Sequence, residues 1–294
     1  MKTIQPAELS ELLASAKPPH LLDVLSDQHF AKTHIPGAKN VCVYEISFLE
    51  NVADKVVSKE ESIVVYGLND QFEAATMASD LLVADGYSQV AILEGGLEAW
   101  TRSSLPVESA KDQTGTGVSE KPLDTERSLI RWTGRNLVNQ HTGTLKVTGG
   151  FLRTDADGLS AARVETDFDT LTCTDIEDQK MNQVLLNHLK AADFFLANEY
   201  PQAVFSLNEI ISIDGATAGR PNISVKGELT LRGVTQEIQF EAIFQKDDEQ
   251  WVVQANLDID RTRWNSKYGS GRFFEALGKH LVNDHISLQV QLFA

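Results

Sequence analysis

Residues 251–259 read WVVQANLDI, and this stretch decides the fold of the larger half of the chain. Every second residue from Trp251 to Ile259 is apolar, and Gln254, Asn256 and Asp258 lie between them. A period of two is typical of a β-strand that buries one face. The same alternation recurs in residues 128–132, 145–147, 164–168, 205–207, 229–231, 238–244 and 286–292. About eight such antiparallel strands predict a closed barrel or a sandwich.

An eight-stranded barrel has an interior that its own side chains just fill or that holds one small ligand. The pattern leaves both possibilities open. Two helical insertions interrupt the strands and are expected to lie across a barrel mouth. Asp175 is expected to cap the first helix, from Ile176 to Lys190, and Phe273–His280 is the second. The apolar stripe of the first helix comprises Met181, Val184, Leu185 and Leu189.

The first hundred residues have a different organisation, in which short apolar runs alternate with segments of helical spacing. The predicted strands are residues 20–24, 40–43, 62–66 and 90–93, and the predicted helices are 6–16, 70–85 and 97–102. This alternation is typical of an α/β fold, a mostly parallel sheet with helices on both faces. Residues 109–125 have little apolar content and predict a linker between domains 1–108 and 126–294.

Charge and cysteine content exclude several classes of function. The formal net charge is −16, with −9 in residues 1–110 and −7 in the remainder. No nucleic-acid partner is expected, because such binding usually begins at a basic patch. No apolar run could span a membrane and residues 1–9 lack a leader pattern, so we expect a cytoplasmic protein that is not an integral membrane protein. The two cysteines, Cys42 and Cys173, exclude a disulfide framework and a CxxC or Cys/His metal site.

Four motifs in the first half carry a family resemblance. They are LLDV at 21–24, HIPGAKN at 34–40, EGGLEAW at 94–100 and LPV at 105–107. In this order they resemble the opening and closing motifs of the rhodanese (sulfurtransferase) family over nearly all of residues 1–108. Active members of that family carry sulfur on a cysteine that follows the fourth strand, usually with an arginine five residues further on.

The positions that carry this chemistry are changed here. Gly67 stands where the resemblance expects the cysteine, Phe72 stands at the arginine position, and Leu25 replaces the arginine usual after Asp-Val. Asp70 is expected to add a negative charge inside the loop, where an anionic sulfur donor would bind. We therefore expect no catalytic residue and no sulfur transfer. The domain would instead be an interaction or regulatory module for a protein partner, with Cys42 a buried small apolar residue.

Six motifs in the second half carry a separate resemblance. They are RWTG at 131–134, HTGT at 141–144, HLKAADFF at 188–195, YPQAVF at 200–205, GELTLRGVT at 227–235 and IDRTRWN at 259–265. The run from about Ser128 to Ala294 thereby resembles the YceI-like family, polyisoprenoid-binding proteins with a lipocalin-like barrel. The resemblance implies binding of a long isoprenoid or related amphiphile in the barrel, with no known covalent chemistry. We expect neither a metal nor a cofactor.

Candidate ligand-binding residues follow from the register of the strands. Continuing the inward register of residues 251–259 places Arg261 and Arg263 at the lumen, where two guanidiniums could receive a phosphate or quinone oxygen. Alternatively, each pairs with a carboxylate such as Asp258 or Asp260 at a surface loop. His188 is either a core histidine or a lid contact to the ligand. The candidate set is Phe168, Leu185, His188, Leu189, Phe194, Phe205, Leu229, Phe240, Trp251, Leu257, Arg261 and Arg263.

The leading hypothesis is a non-enzymatic carrier of a polyprenyl or quinone-like lipid. Burial of its tail in a dry lumen would stabilise the complex by roughly 25 cal/mol per Å². One alternative is an enzyme, either with residual sulfurtransferase activity or with a sulfur-acceptor step that uses Cys42. The other is a pure interaction protein whose barrel is filled by its own side chains.

Overall fold

The computed structural model describes residues 2–109, 118–155, 158–246 and 250–294. The chain divides into two compact units, Met1–Thr114 and Gly115–Ala294. No helix in the described ranges is long and apolar enough to cross a membrane.

The first unit is built on a parallel sheet. Its strands are β1 (Lys2–Ile4), β2 (His20–Asp23), β3 (Thr33–His34), β4 (Lys39–Asn40), β5 (Ser62–Tyr66), β6 (Gln89–Leu93) and β7 (Glu108–Ser109). Five of them form the sheet in the order β1-β6-β5-β2-β4, and every neighbouring pair is parallel. Strands β3 and β7 form a separate antiparallel pair.

Helices cover both faces of this sheet, as the sequence predicts. They are α1 (Pro6–Leu13), α2 (Asp27–Lys32), α3 (Phe48–Ala53), α4 (Ala74–Ala84) and α5 (Gly96–Arg102). Successive strand residues enter different cores, since Leu21 packs in one buried cluster and Leu22 in the other. Alternate residues along each strand therefore pack in two apolar layers, one under each set of helices.

Several boundaries in this unit differ from the sequence prediction. The helix expected at 70–85 begins only at Ala74, because residues 67–73 form a loop braced by side-chain hydrogen bonds. The ladder of the strand expected at 40–43 ends at Asn40, although the amide of Val43 still bonds to the carbonyl of Val24. Strand β1 and helices α2 and α3 were not expected, because each is too short to show a clear period.

The second unit is a closed antiparallel barrel. Its strands are β8 (Ser119–Pro122), β9 (Leu129–Arg135), β10 (Gln140–Asp155), β11 (Gly158–Asp167), β12 (Gln202–Ser212), β13 (Ile223–Leu231), β14 (Val234–Lys246), β15 (Trp251–Asp260) and β16 (His285–Phe293). Strands β9 to β16 pair in sequence, and β16 pairs back with β9, which closes an eight-stranded barrel. The predicted eight-stranded barrel is thereby confirmed.

The barrel begins earlier than the predicted boundary at residue 126. Strand β8 pairs with residues 151–154 of β10, and Leu123 is buried in the barrel core. At the other end of the predicted linker, Ser109 belongs to β7. Residues 110–117 of that linker lie outside the described ranges. Strand β8 was not predicted, because residues 119–122 are polar and the strand pairs with only one neighbouring strand, β10.

The helical insertions also differ from the prediction. The first, α6 (Gln179–Lys190), begins three residues later than expected, because Asp178 rather than Asp175 caps it by accepting from the amide of Met181. The second insertion is irregular apart from a 3₁₀ turn at Gly278–His280. Ala276 and Gly278 both have a left-handed φ, near +55°, which interrupts a continuous helix there.

Candidate functional site

The interior of the barrel contains two cavities that are parts of one lumen. Their volumes are about 140 Å³ and 110 Å³. Six side chains line both of them and so mark where they join. These residues are Ile130, Val164, Phe205, Leu229, Ile259 and Leu288. The side chains therefore do not fill the interior completely, and each cavity has about the size of one that holds a small apolar molecule.

The inner cavity is lined only by apolar side chains. It lies between the strands and includes Leu152, Ala162, Phe240 and Leu257. Every contribution comes from inward positions of the alternating strands, which explains why the lining has no polar side chain. Such a surface can bury a hydrocarbon tail and offers nothing to a charged group.

The outer cavity ends at a partly polar mouth. Most of its lining is aliphatic or aromatic, but Arg135, Thr166, Arg261 and Asn283 also contribute. The mouth is formed by the connections that follow β9, β11 and β15, because these leave the barrel at the same end. A ligand with an apolar tail and a small polar head would therefore meet its polar partners only here.

Arg261 is fully buried at this mouth, and its guanidinium is held by backbone carbonyls. Nη1 donates to Ser266 O at 2.6 Å, Nη2 donates to Tyr268 O at 2.8 Å and to Val282 O at 3.2 Å, and Nε donates to Asn283 O at 3.1 Å. Burial lowers the pKa of Arg261, whereas nearby Asp284 and Asp260 raise it. Four of the five N–H donors are thus engaged.

The structure brings eight of the twelve candidate residues to the lumen. These are Phe168, Leu189, Phe194, Phe205, Leu229, Phe240, Leu257 and Arg261. The ring of Phe205 packs against Gly227 of the neighbouring strand β13, where a Cβ would lie 2.5 Å from it. Inward register on the strands therefore places these side chains together.

The other four candidates lie outside the lining. Arg263 is exposed and donates to the carbonyl of Glu237, because the chain leaves β15 as a 3₁₀ turn at Arg261–Trp264 and loses the strand register. Trp251 is buried beyond the cavity, with the ammonium groups of Lys121 and Lys246 near its ring. Leu185 packs behind the lining, and His188 contacts the ring of Tyr268 at 4.4 Å.

The expected pairing of the two arginines with Asp258 or Asp260 is not what the structure shows. Asp260 forms an ion pair with Arg272 at 2.9 Å, and Asp258 accepts from Ser287 at 2.5 Å. The carboxylate of Asp284 lies 3.9 Å from the Arg261 guanidinium. The prediction from local sequence proximity was wrong, because these partners of Asp258, Asp260 and Arg261 come from residues 272–287.

Several lining residues were missed by the sequence prediction. Trp132, Leu171, Phe195 and Ala203 all face the outer cavity. Trp132 and Phe195 belong to motifs that were recognised, and the alternation along residues 129–135 would have placed Trp132 inward. The indole of Trp132 donates to the carbonyl of Thr172, which joins β9 to the connection after β11.

Asp175 holds that connection against β10 instead of capping a helix. Its carboxylate accepts from the amide of Thr142 at 2.7 Å, from Cys173 Sγ at 3.3 Å, and lies 2.9 Å from His141 Nδ1. Burial alone would raise the pKa of Asp175, but these hydrogen bonds lower it overall. Within the described ranges, no group of His, Cys, Asp and Glu side chains could hold a metal ion.

The loop where the rhodanese resemblance predicts the active site begins at Gly67, directly after β5. The carbonyls of Gly67 and Leu68 accept from the amides of Leu97 and Glu98 in α5, at 3.0 Å each. This approach requires Gly96, where a Cβ would lie 2.5 Å from the carbonyl of Gly67. A Cβ at Gly67 itself would have ordinary contacts, the nearest at 3.5 Å.

The acid and the aromatic residue in this loop have different surroundings. The carboxylate of Asp70, which is expected to add a negative charge to this loop, accepts from the amide of Gly95 at 2.8 Å and braces the start of α5. Phe72, at the position where the resemblance predicts an arginine, is 57% exposed.

Comparisons with known proteins agree with this division. The YceI-like domain model matches residues 122–294, and the rhodanese-like domain model matches residues 5–103. Thiosulfate sulfurtransferase GlpE of Pseudomonas fluorescens is 33% identical over 91 residues, which cover 31% of this chain and 77% of that protein.

Two solved structures are similar to the barrel. BcnA of Burkholderia cenocepacia is 21% identical, with a TM-score of 0.46 over 58% of this chain and 99% of that chain. A polyisoprenoid-binding domain from Saccharophagus degradans is 16% identical, with a TM-score of 0.42 over 60% of this chain and 97% of that chain. The family models show that residues 5–103 form a rhodanese-like domain and that, through residues 122–294, the chain belongs to the YceI-like family.

Proposed function

We propose that the barrel binds and carries a long isoprenoid-type lipid, with its tail in the inner cavity and its head at the mouth. The observation that carries this proposal is the continuous lumen, whose inner part has an exclusively apolar lining. Burial of each methylene of a tail in such a lumen contributes about 0.8 kcal/mol. Membership of the YceI-like family supports the same ligand class.

The mouth favours a small head group with oxygen acceptors, such as a quinone. Backbone carbonyls engage four of the five N–H donors of Arg261, and Asp284 offsets part of its charge. A diphosphate would need several donors, whereas Arg263 points elsewhere. Quinone-like lipids are therefore our preferred ligands, and long polyprenols are the next class.

The rhodanese-like domain acts in this proposal as a non-catalytic interaction or regulatory module. Gly67 cannot carry sulfur, and Phe72 cannot neutralise an anionic donor. A protein partner of this domain and a cytoplasmic location of the chain stay predictions from the sequence.

The test is to purify the full chain, extract it with organic solvent and identify bound lipid by mass spectrometry. We expect a stoichiometric isoprenoid, or saturable uptake of an added isoprenoid quinone. Substitution Ala203→Trp places an indole in the outer cavity and should abolish uptake. Gln202→Trp puts the same side chain on the exposed neighbouring position of β12 and should leave uptake unchanged.

An empty barrel that takes up neither a quinone nor a polyprenol would contradict the proposal. Equal uptake by wild type and Ala203→Trp would contradict the assigned site, because the lipid would then bind somewhere other than the outer cavity. Folding of each variant is checked by its circular dichroism and by its thermal transition.

A further inference from the structure

Four connections lie at one end of the barrel because all its neighbouring strands are antiparallel. They are residues 136–139, 168–201, 232–233 and 261–284, which follow β9, β11, β13 and β15. The outer cavity opens at this end, since Phe194, Arg261 and Val282 line it. Residues 136 and 282 also form a β-bridge, which joins the first and last of these connections.

Exposed apolar side chains concentrate on these four connections. In the described part of residues 118–294, eight of the ten exposed large apolar residues belong to them. The eight are Leu137, Val138, Met181, Val184, Tyr200, Tyr268, Phe273 and Phe274, and the other two are Val118 and Ile211. We call the eight residues the apolar rim. A concentration of exposed apolar surface of this kind marks an interaction site.

Basic residues are interleaved with the aromatic part of the rim. The connection 261–284 contains five Lys and Arg against two acids, in a chain whose net charge is −16. The ammonium group of Lys267 lies 4.7 Å from the centre of the Phe273 ring. No ion pair within the described ranges engages Lys267 or Lys279. The connection 168–201 is acidic, with six Asp and Glu against two Lys, so any contact with phosphates falls to the connection 261–284.

We propose that the apolar rim docks the barrel mouth on a membrane surface that contains anionic lipids. Phe273 and Phe274 enter the interface between head groups and acyl chains, and Lys267 and Lys279 contact lipid phosphates. Aromatic side chains beside lysines are the combination that favours this interface. The negative charge of the remaining chain is repelled, so that the mouth faces the bilayer. The inference rests on the proposed function, because a lipid carrier must load from a bilayer.

The test uses the full chain and two kinds of vesicle, one of pure phosphatidylcholine and one with about a third phosphatidylglycerol. Flotation measures the bound fraction of wild type, Phe273→Ser/Phe274→Ser, Lys267→Glu/Lys279→Glu and Ile211→Ser. The last is the matched control, because Ile211 is 56% exposed but lies outside the four connections. We expect the double Phe variant to lose at least tenfold in partitioning to either vesicle. The double Lys variant should lose only the preference for phosphatidylglycerol, and Ile211→Ser should match wild type.

Absence of wild-type binding to both vesicles overturns the inference, and so does an equal loss in Ile211→Ser. A dimer of wild type that dissociates in Phe273→Ser/Phe274→Ser also overturns it, because the rim would then be covered by a second copy. Lipid content after extraction separates this inference from the proposed function. Rim variants that retain bound lipid but float less than wild type would show a defect in docking alone. Ala203→Trp, by contrast, should lose bound lipid and still float with the vesicles.

Discussion

The guanidinium of Arg261 lies over the ring of Phe194, with 5.1 Å between Cζ and the ring centroid. Arg261 follows β15, and Phe194 lies in the connection between α6 and β12. The pair thus joins the two long connections at the mouth of the lumen. Because both side chains line the outer cavity, the shape of the entrance depends on one buried cation and the carbonyls that hold it.

Substitution Arg261→Met should destabilise the barrel by about 3 kcal/mol, because it leaves buried carbonyls without donors. Urea unfolding of the full chain, followed for the transition of the barrel, measures the change. Arg263→Met is the control, since Arg263 is exposed and bonds to one carbonyl, and its cost should stay under about 1 kcal/mol. Equal effects of the two substitutions would contradict the structural role of Arg261.

Substitution Ala162→Trp should shorten the tail that the barrel accepts. Ala162 lines the inner cavity, so an indole there would fill the space that the distal isoprene units are proposed to occupy. We expect affinity for a short-chain quinone to be kept within about twofold and affinity for a long-chain quinone to fall at least tenfold, or about 1.4 kcal/mol. Competition titrations with quinones of two tail lengths measure the shift.

The control for that experiment is Ala161→Trp, which makes the same substitution at the neighbouring position, outside the lining. It should leave both affinities unchanged. Loss of the two quinones to the same extent in Ala162→Trp would show that the tail does not extend into the inner cavity.

The stability of the rhodanese-like domain should depend on the ionisation of Asp23. Burial raises the pKa of Asp23 above its ordinary value of 3.8, although the amide of Leu25 opposes the shift. The folded domain then retains a proton that the unfolded chain releases. Stability should therefore be highest at and below about pH 3.8 as far as this group is concerned, and decrease as pH rises through the raised pKa.

Substitution Asp23→Asn should remove this decrease, because the amide oxygen can still accept from Leu25 and no charge is buried. Urea unfolding between pH 4 and pH 8 measures the dependence. Asp80→Asn, on an exposed position of α4, serves as the control. A pH profile that is identical in Asp23→Asn and wild type would contradict the assignment.

Wild-type protein should show no thiosulfate:cyanide sulfurtransferase activity, whereas Gly67→Cys/Phe72→Arg should gain it. A Cβ at Gly67 has ordinary contacts, and the loop still packs on the start of α5, so the thiol should fit without loss of fold. A cyanolysis assay measures turnover, with Phe72→Arg alone as the control that lacks a thiol. Wild-type turnover that disappears in Cys42→Ser would contradict the non-catalytic proposal.

The strands of the barrel could be predicted because each buries one face. Alternation alone therefore indicated β15 near its true bounds and the inward positions of Phe205, Leu229 and Phe240. The parallel sheet was equally predictable, since its buried strands alternate with helices. Strand β8 was not predictable, because its polar sequence is stabilised by pairing with residues far along the chain.

The mouth could not be predicted, because its connections have no regular period. Extending the register of β15 placed both arginines inward, but the 3₁₀ turn sends Arg263 outward and leaves Arg261 inside. Asp175 had the residue type of a helix cap and instead bonds to Thr142, 33 residues away in sequence. Sequence spacing does not predict such partners, because only closure of the barrel brings them together.

The sequence by itself determined that the chain has a rhodanese-like domain and an eight-stranded barrel after it. These properties are local, because they depend on residue identity and on the period of burial along each strand. Only the tertiary structure decided that the barrel is hollow. Whether inward side chains fill the lumen depends on how far they reach across it from opposite strands, which no single strand encodes.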